Sequence, residues 1–386
     1  VRADAQDRAM TRPALPRQDT SHQAASHPGT SHPGTSRGLP ARLVLAPHLC
    51  VLVRGPDSRQ VGLDPVHGLV LEDLCPATVS MLDELGQAPV DVADLLRRAV
   101  GRGADPDTVT AVLHALLSAG LLRDARTPDR VAGRRADSQV EVRGDGPLAL
   151  AVAAALARAG VGAVHVRTSG AVAPSDLLVA GLPTHALGLD RSRIAPELLA
   201  AAAPQVRTTA PGRTPPDLVV LTDAQARRLD EADRLIVRAV EHLVVRMRDG
   251  RGVVGPLVLP GRSACLRCLD LHRTGLDPGW PALTATLADR TGSAEPGVLA
   301  ATAALGAAQA LLALDGPTTG GPPPPTLDAT LELDLDSATV LTRVWAAHPG
   351  CPCGAAEPDS PPAPADRARP TGAACERGRW RETIKE

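Results

Sequence analysis

Residues 139–160 read QVEVRGDGPLALAVAAALARAG, and the rest of the chain can be placed around them. Alternation about Val140 and Val142 predicts a short strand over 139–143. Pro147 then opens an Ala/Leu helix that runs to Ala159 and stops at Gly160. The intervening Gly144-Asp-Gly146-Pro-Leu-Ala149 has the form G-x-G-x-x-A. Glycines in such a turn let backbone amides approach a phosphate at the helix N-terminus. Further on, 163–167 reads as a strand, 194–203 as a helix, and 217–221 as a buried strand between Pro215-Pro216 and Asp223. Strand–helix alternation of this kind predicts a parallel, doubly wound sheet, α/β in class.

A nucleotide-binding turn also calls for a carboxylate after the second strand, to hold the ribose. That place reads Thr168-Ser169-Gly170. The turn is therefore read first as structural, and Gly144, Gly146 and Ala149 as candidate nucleotide contacts second. Asp223 is placed to hold Mg²⁺ beside a triphosphate. Its plainer role is to cap a helix over 224–229, and that is the preferred reading.

Beyond this core, 243–247 and 253–259 read as strands around Arg248-Asp-Gly250. Helices are expected at 266–274, 281–289 and 297–314, then a hairpin of 326–333 with 339–344. Two tight cysteine pairs flank this region, Cys265-Leu-Arg-Cys268 and Cys351-Pro-Cys353. A Cys-x-x-Cys knuckle grips one ion from a single turn, and a second clip completes a tetrahedral sulfur site for Zn²⁺. Four thiolates would close the site and make it structural. His348 is a substitute ligand if the short Cys-x-Cys clip supplies one sulfur. A redox pair and unliganded buried thiols are the alternatives. The chain has seven cysteines, an odd number, which argues against a disulfide framework and for a reducing compartment.

Upstream, residues 42–125 form a separate pattern of four short strands (43–45, 51–53, 60–63, 68–71) and three helices (76–85, 90–100, 105–119). A small β-meander with three helices predicts a winged-helix-like module. Residues 1–40 are low in complexity; the repeat Ser-His-Pro-Gly-Thr at 26–30 and 31–35 has no apolar residue to bury, and the segment is expected to be a disordered tail. His22, His27 and His32 belong to that tail, and Val1 leaves Met10 as an alternative start. Residues 356–386, with Cys375 and the single lysine, Lys385, are expected to be a second tail.

Composition excludes several functions. There are three Trp, no Phe and no Tyr, so stacking platforms for single-stranded nucleic acid are absent from the sequence. The 41 basic and 43 acidic residues give a net charge of −2, with no field to draw a polyanion. A DNA-reading winged helix would need cations on its recognition helix, and 105–119 offers His114. The Ala-rich run 297–314 reads as a buried helix rather than a membrane span, and no signal peptide is visible. A cytoplasmic protein acting on neither nucleic acid nor membrane is the expectation.

Three strings then resemble the ThiF/E1-like family: Val254-Gly-Pro-Leu-Val-Leu-Pro-Gly261, Cys265-Leu-Arg-Cys268-Leu-Asp-Leu-His272-Arg273 and His348-Pro-Gly-Cys351-Pro-Cys353. The resemblance is nearest to the actinobacterial branch of thiazole/oxazole-modified peptide biosynthesis, the cyclodehydratase C or leader-peptide-binding proteins. It implies a winged-helix-like RiPP recognition element over 41–130, which captures a precursor leader peptide as an added strand. It implies an E1-like Rossmann domain over 138–355 with zinc on Cys265, Cys268, Cys351 and Cys353. It also implies an ATP-dependent YcaO-type partner and pairing of two copies. Active members adenylate a carboxyl terminus with ATP through an Asn-Leu-x-Arg-Gln segment, a Lys and a strand-end Asp. Here Asp176 stands for the Asn, Arg191 for the Lys, and Asp223 keeps the strand-end place. These departures, and the lack of a cysteine between Cys75 and Cys265, count against ATP use and favour a non-catalytic presenter. The alternative is a ThiF-type adenylyltransferase.

Overall fold

The computed structural model describes residues 38–64, 68–224, 228–287 and 290–356. The expectations for the His-rich repeat, Cys375 and Lys385 fall outside these residues. Two hydrophobic cores are built almost wholly from Leu, Val and Ala, as the aromatic-poor composition requires.

The first core holds the front of the chain. Its elements are β1 (Arg42–Leu45), β2 (Val51–Gly55), β3 (Ser58–Val61), β4 (Leu69–Leu71), α1 (Pro76–Asp83), β5 (Val90–Asp91), α2 (Val92–Gly101), α3 (Pro106–Ser118) and β6 (Leu122–Asp124). They make two antiparallel sheets, β5-β1-β6 and β2-β3-β4. Asp91 and Asp105 cap α2 and α3 by accepting from the amides of Asp94 and Thr108. Buried Arg59 of β3 binds Asp83 at the end of α1 through two hydrogen bonds of 2.6 and 2.8 Å.

Helix α4 (Thr127–Asp137) follows. The sequence gives no apolar stripe to announce it, and none of its residues is buried. Ion pairs hold it instead: Arg135 to Asp315 at 2.5 Å and Arg134 to Asp217 at 3.1 Å.

The second core surrounds a seven-stranded mixed sheet. Its elements are β7 (Gln139–Arg143), α5 (Pro147–Arg158), β8 (Ala163–Arg167), α6 (Pro174–Ala180), α7 (Arg191–Ala202), β9 (Leu218–Thr222), α8 (Leu229–Val237), β10 (His242–Arg248), β11 (Arg251–Val258), α9 (Leu266–Leu276), α10 (Trp280–Leu287), α11 (Pro296–Thr319), β12 (Ala329–Asp334) and β13 (Thr339–Val344). The strand order is β13-β12-β11-β10-β9-β7-β8. Strands β8, β7, β9 and β10 are parallel, and β11 to β13 run antiparallel, so the sheet is mixed rather than all parallel. Outside β8, Arg207 forms a parallel bridge to Ala163. This segment takes the place of a third parallel strand, as in a Rossmann half.

Helices α5, α7 and α11 share one core with Val140, Val142 and Val220, on one face of the sheet. Helix α8 covers the other face over Val219, Leu221 and Val244. The crossover from Arg207 back to β9 carries no helix, because Pro211, Pro215 and Pro216 deny it one. Helix α11 is long and apolar enough, by length and composition, to cross a membrane, with half of its most apolar window buried. It lies in the core against β10 and β11, where a Cβ on Gly306 would stand 2.8 Å from Val245.

Candidate functional site

The two cysteine pairs meet. Cys265 is the N-cap of α9, Cys268 lies in its first turn, and the Cys351–Cys353 turn folds back from beyond β13. The Sγ–Sγ distances are 3.7 Å for Cys265–Cys268 and 3.6 Å for Cys265–Cys351 and Cys268–Cys353. A disulfide would need about 2.05 Å. Four sulfurs about 2.3 Å from one Zn²⁺ would be roughly 3.8 Å apart, the edge of a tetrahedron. The cluster therefore fits a closed four-thiolate ion site, and the spacing-based reading of Cys265, Cys268, Cys351 and Cys353 as one group holds in space. His348 lies outside it: its Nδ1 accepts from the Gly350 amide at 3.0 Å, and its ring meets His272 edge-on.

Burial pushes the Cys351 thiol up to about 12. Cys268 is pulled down because the Cys265 thiol donates to its sulfur, and Cys265 is correspondingly raised. A bare cluster thus resists carrying several negative charges, while a bound divalent cation would release the remaining protons.

Around the sulfurs pack Val258, Ala264, Leu269 and Trp345. Arg273 of α9 lies between two tryptophans, 5.0 Å from the Trp280 ring and 4.7 Å from the Trp345 ring. The Trp280 indole donates to Asp270 and that of Trp345 to Thr330, each at 3.0 Å. His272 Nε2 meets the Ala346 carbonyl at 2.9 Å. Helix α9 and the segment after β13 are thereby joined at one place, far apart in sequence.

The glycine turn follows β7 at the N-terminus of α5, where a phosphate would be received. That position is taken by the chain itself. The Asp223 carboxylate accepts from the Ala149 amide at 3.2 Å and from the Thr222 hydroxyl at 2.9 Å. The same hydroxyl lies 3.1 Å from the Arg143 carbonyl, so its one hydrogen is shared between the two acceptors and ties the ends of β7 and β9 together. A Cβ on Gly144 would collide with Thr222 Oγ1, and one on Gly146 would lie 2.5 Å from Asp223 Oδ1 and 3.0 Å from Thr291. The glycines make room for Asp223, Thr222 and Thr291. Asp223 thus caps α5; the expected helix over 224–229 falls largely outside the described residues, among which the next helix is α8, from Leu229. Residues 225–227 lie outside the described residues. Burial pushes the Asp223 carboxyl up to about 6, against the lowering effect of its hydrogen bonds to Thr222 and to the Ala149 and Leu148 amides.

The other nucleotide candidates are engaged as well. Arg191 is buried against fully buried Asp176, with contacts of 2.8 to 3.2 Å, and its Nη1 donates to the Ser169 carbonyl. Asp176 also closes the first turn of α6 by accepting from the Ala173 amide at 2.6 Å. After β8, a carboxylate does arrive, but from the glycine turn: Asp145 accepts from the Ser169 amide and hydroxyl at 3.0 Å. The sequence carried no signal for that contact, because it joins two loops. In this arrangement the residues do not fit ATP–Mg²⁺: the phosphate position holds a carboxylate, and the stand-in for the lysine is neutralised.

Solved structures share this architecture. Escherichia coli MccB with ATP aligns with a TM-score of 0.64 at 14% identity, over 81% of this chain and 99% of MccB. The microcin C7 biosynthetic enzyme MccB in complex with N-formylated MccA aligns at 0.62 and 14% identity, over 81% and 99% of the two chains. A heterocyclase in complex with substrate and cofactor aligns at 0.53 and 14% identity, over 82% of this chain and 40% of that one. A scan against protein-family models finds no match, and a search of the curated proteins finds none. What these alignments establish is the fold, an α/β fold shared with MccB.

Proposed function

We propose that the chain is an E1-like, leader-peptide-binding scaffold of thiazole/oxazole-modified peptide biosynthesis. It holds a ribosomal precursor peptide and presents it to an ATP-dependent YcaO-type cyclodehydratase in the cytoplasm. The observation that carries this reading is the pairing of a four-cysteine cluster whose spacing fits a metal ion with a phosphate position filled by Asp223. A fold that keeps its staple while closing its nucleotide turn suits presentation better than adenylation. MccB, of like fold, is known in complex with N-formylated MccA, which supports a peptide as ligand.

The front module, read as a winged-helix-like recognition element over 41–130, would take the leader. Strand β4 is at one edge of its sheet, with Val70 partly exposed. An extended peptide laid along that edge would gain main-chain hydrogen bonds without a preformed cavity. The zinc would be structural, and two copies of the chain would pair through the rear domain.

The alternative is a ThiF-type adenylyltransferase. MccB with ATP favours it, as does the retention of Asp223 at the strand end. ATP–pyrophosphate exchange separates the two readings. A flat trace with carboxyl-terminal peptides, alongside micromolar leader binding, is the expected result. Mg²⁺-dependent exchange abolished by Asp223→Ala would establish the enzyme instead.

A further inference from the structure

We propose that the face of β7 and β8 turned away from α5, beside the part of the sheet that α8 covers, carries a separate site for a small ligand bearing a phosphate or carboxylate group. Parallel strands are ordinarily covered on both faces by crossover helices. Here α5 covers Val140 and Val142 of β7, while the alternate residues Glu141 and Arg143 point to the opposite side. On β8, His165 and Arg167 alternate in the same way with Val164 and Val166. The proline-bearing crossover 210–216 and the C-terminal end of α8 wall this face, leaving a cleft of about 390 Å³. That volume suits a small molecule.

Its charge is arranged for an anion. Buried Arg143 uses both terminal nitrogens on carboxylates, one on Glu231 and one on Glu141 at 2.7 Å. Its Nε is buried with no hydrogen-bond partner. Glu231 is shared further with Arg167 at 3.5 Å and Arg234 at 3.1 Å. Both acids are therefore committed, whereas the Arg167 side chain remains 64% exposed and Arg238 joins it along the cleft. His165 is held on the floor, its Nδ1 3.1 Å from the Thr208 carbonyl. Arg167 and Arg238 both line the cleft, above carboxylates already paired with arginine, and guanidinium groups offer the forked donors that phosphate and carboxylate oxygens accept.

The cleft adjoins a smaller cavity of about 210 Å³ at the C-terminal strand ends, which shares Arg143 and Arg167 and is bordered by Thr168. The Thr168 hydroxyl is also buried without a partner. A ligand in the larger cleft lies against the face away from α5 and needs neither Gly146 nor Asp223. The inference is thus independent of whether the chain adenylates or presents a peptide.

The test titrates the full chain with inorganic phosphate, pyrophosphate and succinate at constant ionic strength, followed by amide and arginine Nε–H NMR signals. Saturable shifts at Glu141, His165 and Arg167 are expected, with binding weakened about tenfold or more in Arg167→Gln/Arg238→Gln. Both replaced side chains sit at the rim, and Arg238→Gln alone serves if the double variant melts early. Response to the phosphates alone assigns a phosphate ester, and response to succinate alone assigns a carboxylate; either supports the site. Shifts confined to the Leu148 and Ala149 amides, binding unchanged in the variants, or no saturable response to any of the three would overturn it.

Discussion

Replacing Cys353 by Ser removes one corner of the sulfur cluster with almost no change of volume. The remaining sulfurs, 3.6 to 3.7 Å apart, would keep three ligands in place. Structural zinc sites release about 10–16 kcal/mol on binding, or roughly 3 kcal/mol for each of four thiolates. A loss of about 3 kcal/mol in a unit of this size lowers the melting temperature by roughly 6–12 °C. The effect should be read where the site is: Trp345 packs against Cys265, Cys268 and Cys351, and Trp280 is linked to it through Arg273. Trp380→Phe removes the third indole, so fluorescence reports on these two. The assay is metal content by mass spectrometry with a fluorescence melt, before and after chelation. About one zinc per chain is expected, lost on chelation together with a shift in emission. A chain that contains no metal and melts as the Ser variant does would refute the reasoning. So would a cross-linked Cys265–Cys351 pair under reducing preparation.

Three further outcomes are expected. Arg191→Ala should cost about 3–5 kcal/mol in urea unfolding, because it leaves the Asp176 carboxylate buried without its cation; a free phosphate-binding arginine would cost almost nothing. Asp223 has a folded pKa of about 6 against an ordinary 3.8, so the folded state binds its proton more tightly and stability falls as pH rises from about 4 to 6. Asp223→Asn, which keeps the acceptor for the Ala149 amide, should flatten that slope and be up to about 3 kcal/mol more stable than the parent at pH 7.5; unfolding curves at two pH values check it, and an unchanged slope refutes it. Val70→Pro on edge strand β4 should weaken leader binding about tenfold or more while leaving the far-ultraviolet spectrum intact, measured by fluorescence anisotropy of a labelled leader.

Much of the rear domain was legible in the sequence. Val140 and Val142 alternate, Pro147 starts α5, and the cysteine pairs announce ligand-like clips, because each signal lies within a few residues of itself. Helix α4 was not legible: Arg130, Arg134 and Arg135 are polar residues held by Thr318, Asp217 and Asp315, partners distant along the chain. The mixed character of the sheet escaped for a similar reason, since strand direction depends on which neighbours pair. The role of Asp223 turned on the same point. Beside Ala224 it reads as a cap for the next helix, yet its φ of 52° turns it back toward α5, 74 residues earlier.

The sequence by itself determined the strand–turn–helix grammar, an aromatic-poor core of Leu, Val and Ala, and four thiols in two clips. These are local properties, set by side-chain volume, backbone preference and ligand spacing. Only the tertiary structure decided that the glycine turn is filled, that Arg191 belongs to Asp176, and that the face of β7 and β8 is left open. A carboxylate or guanidinium is identified by what lies within hydrogen-bond reach, and folding alone brings those groups together.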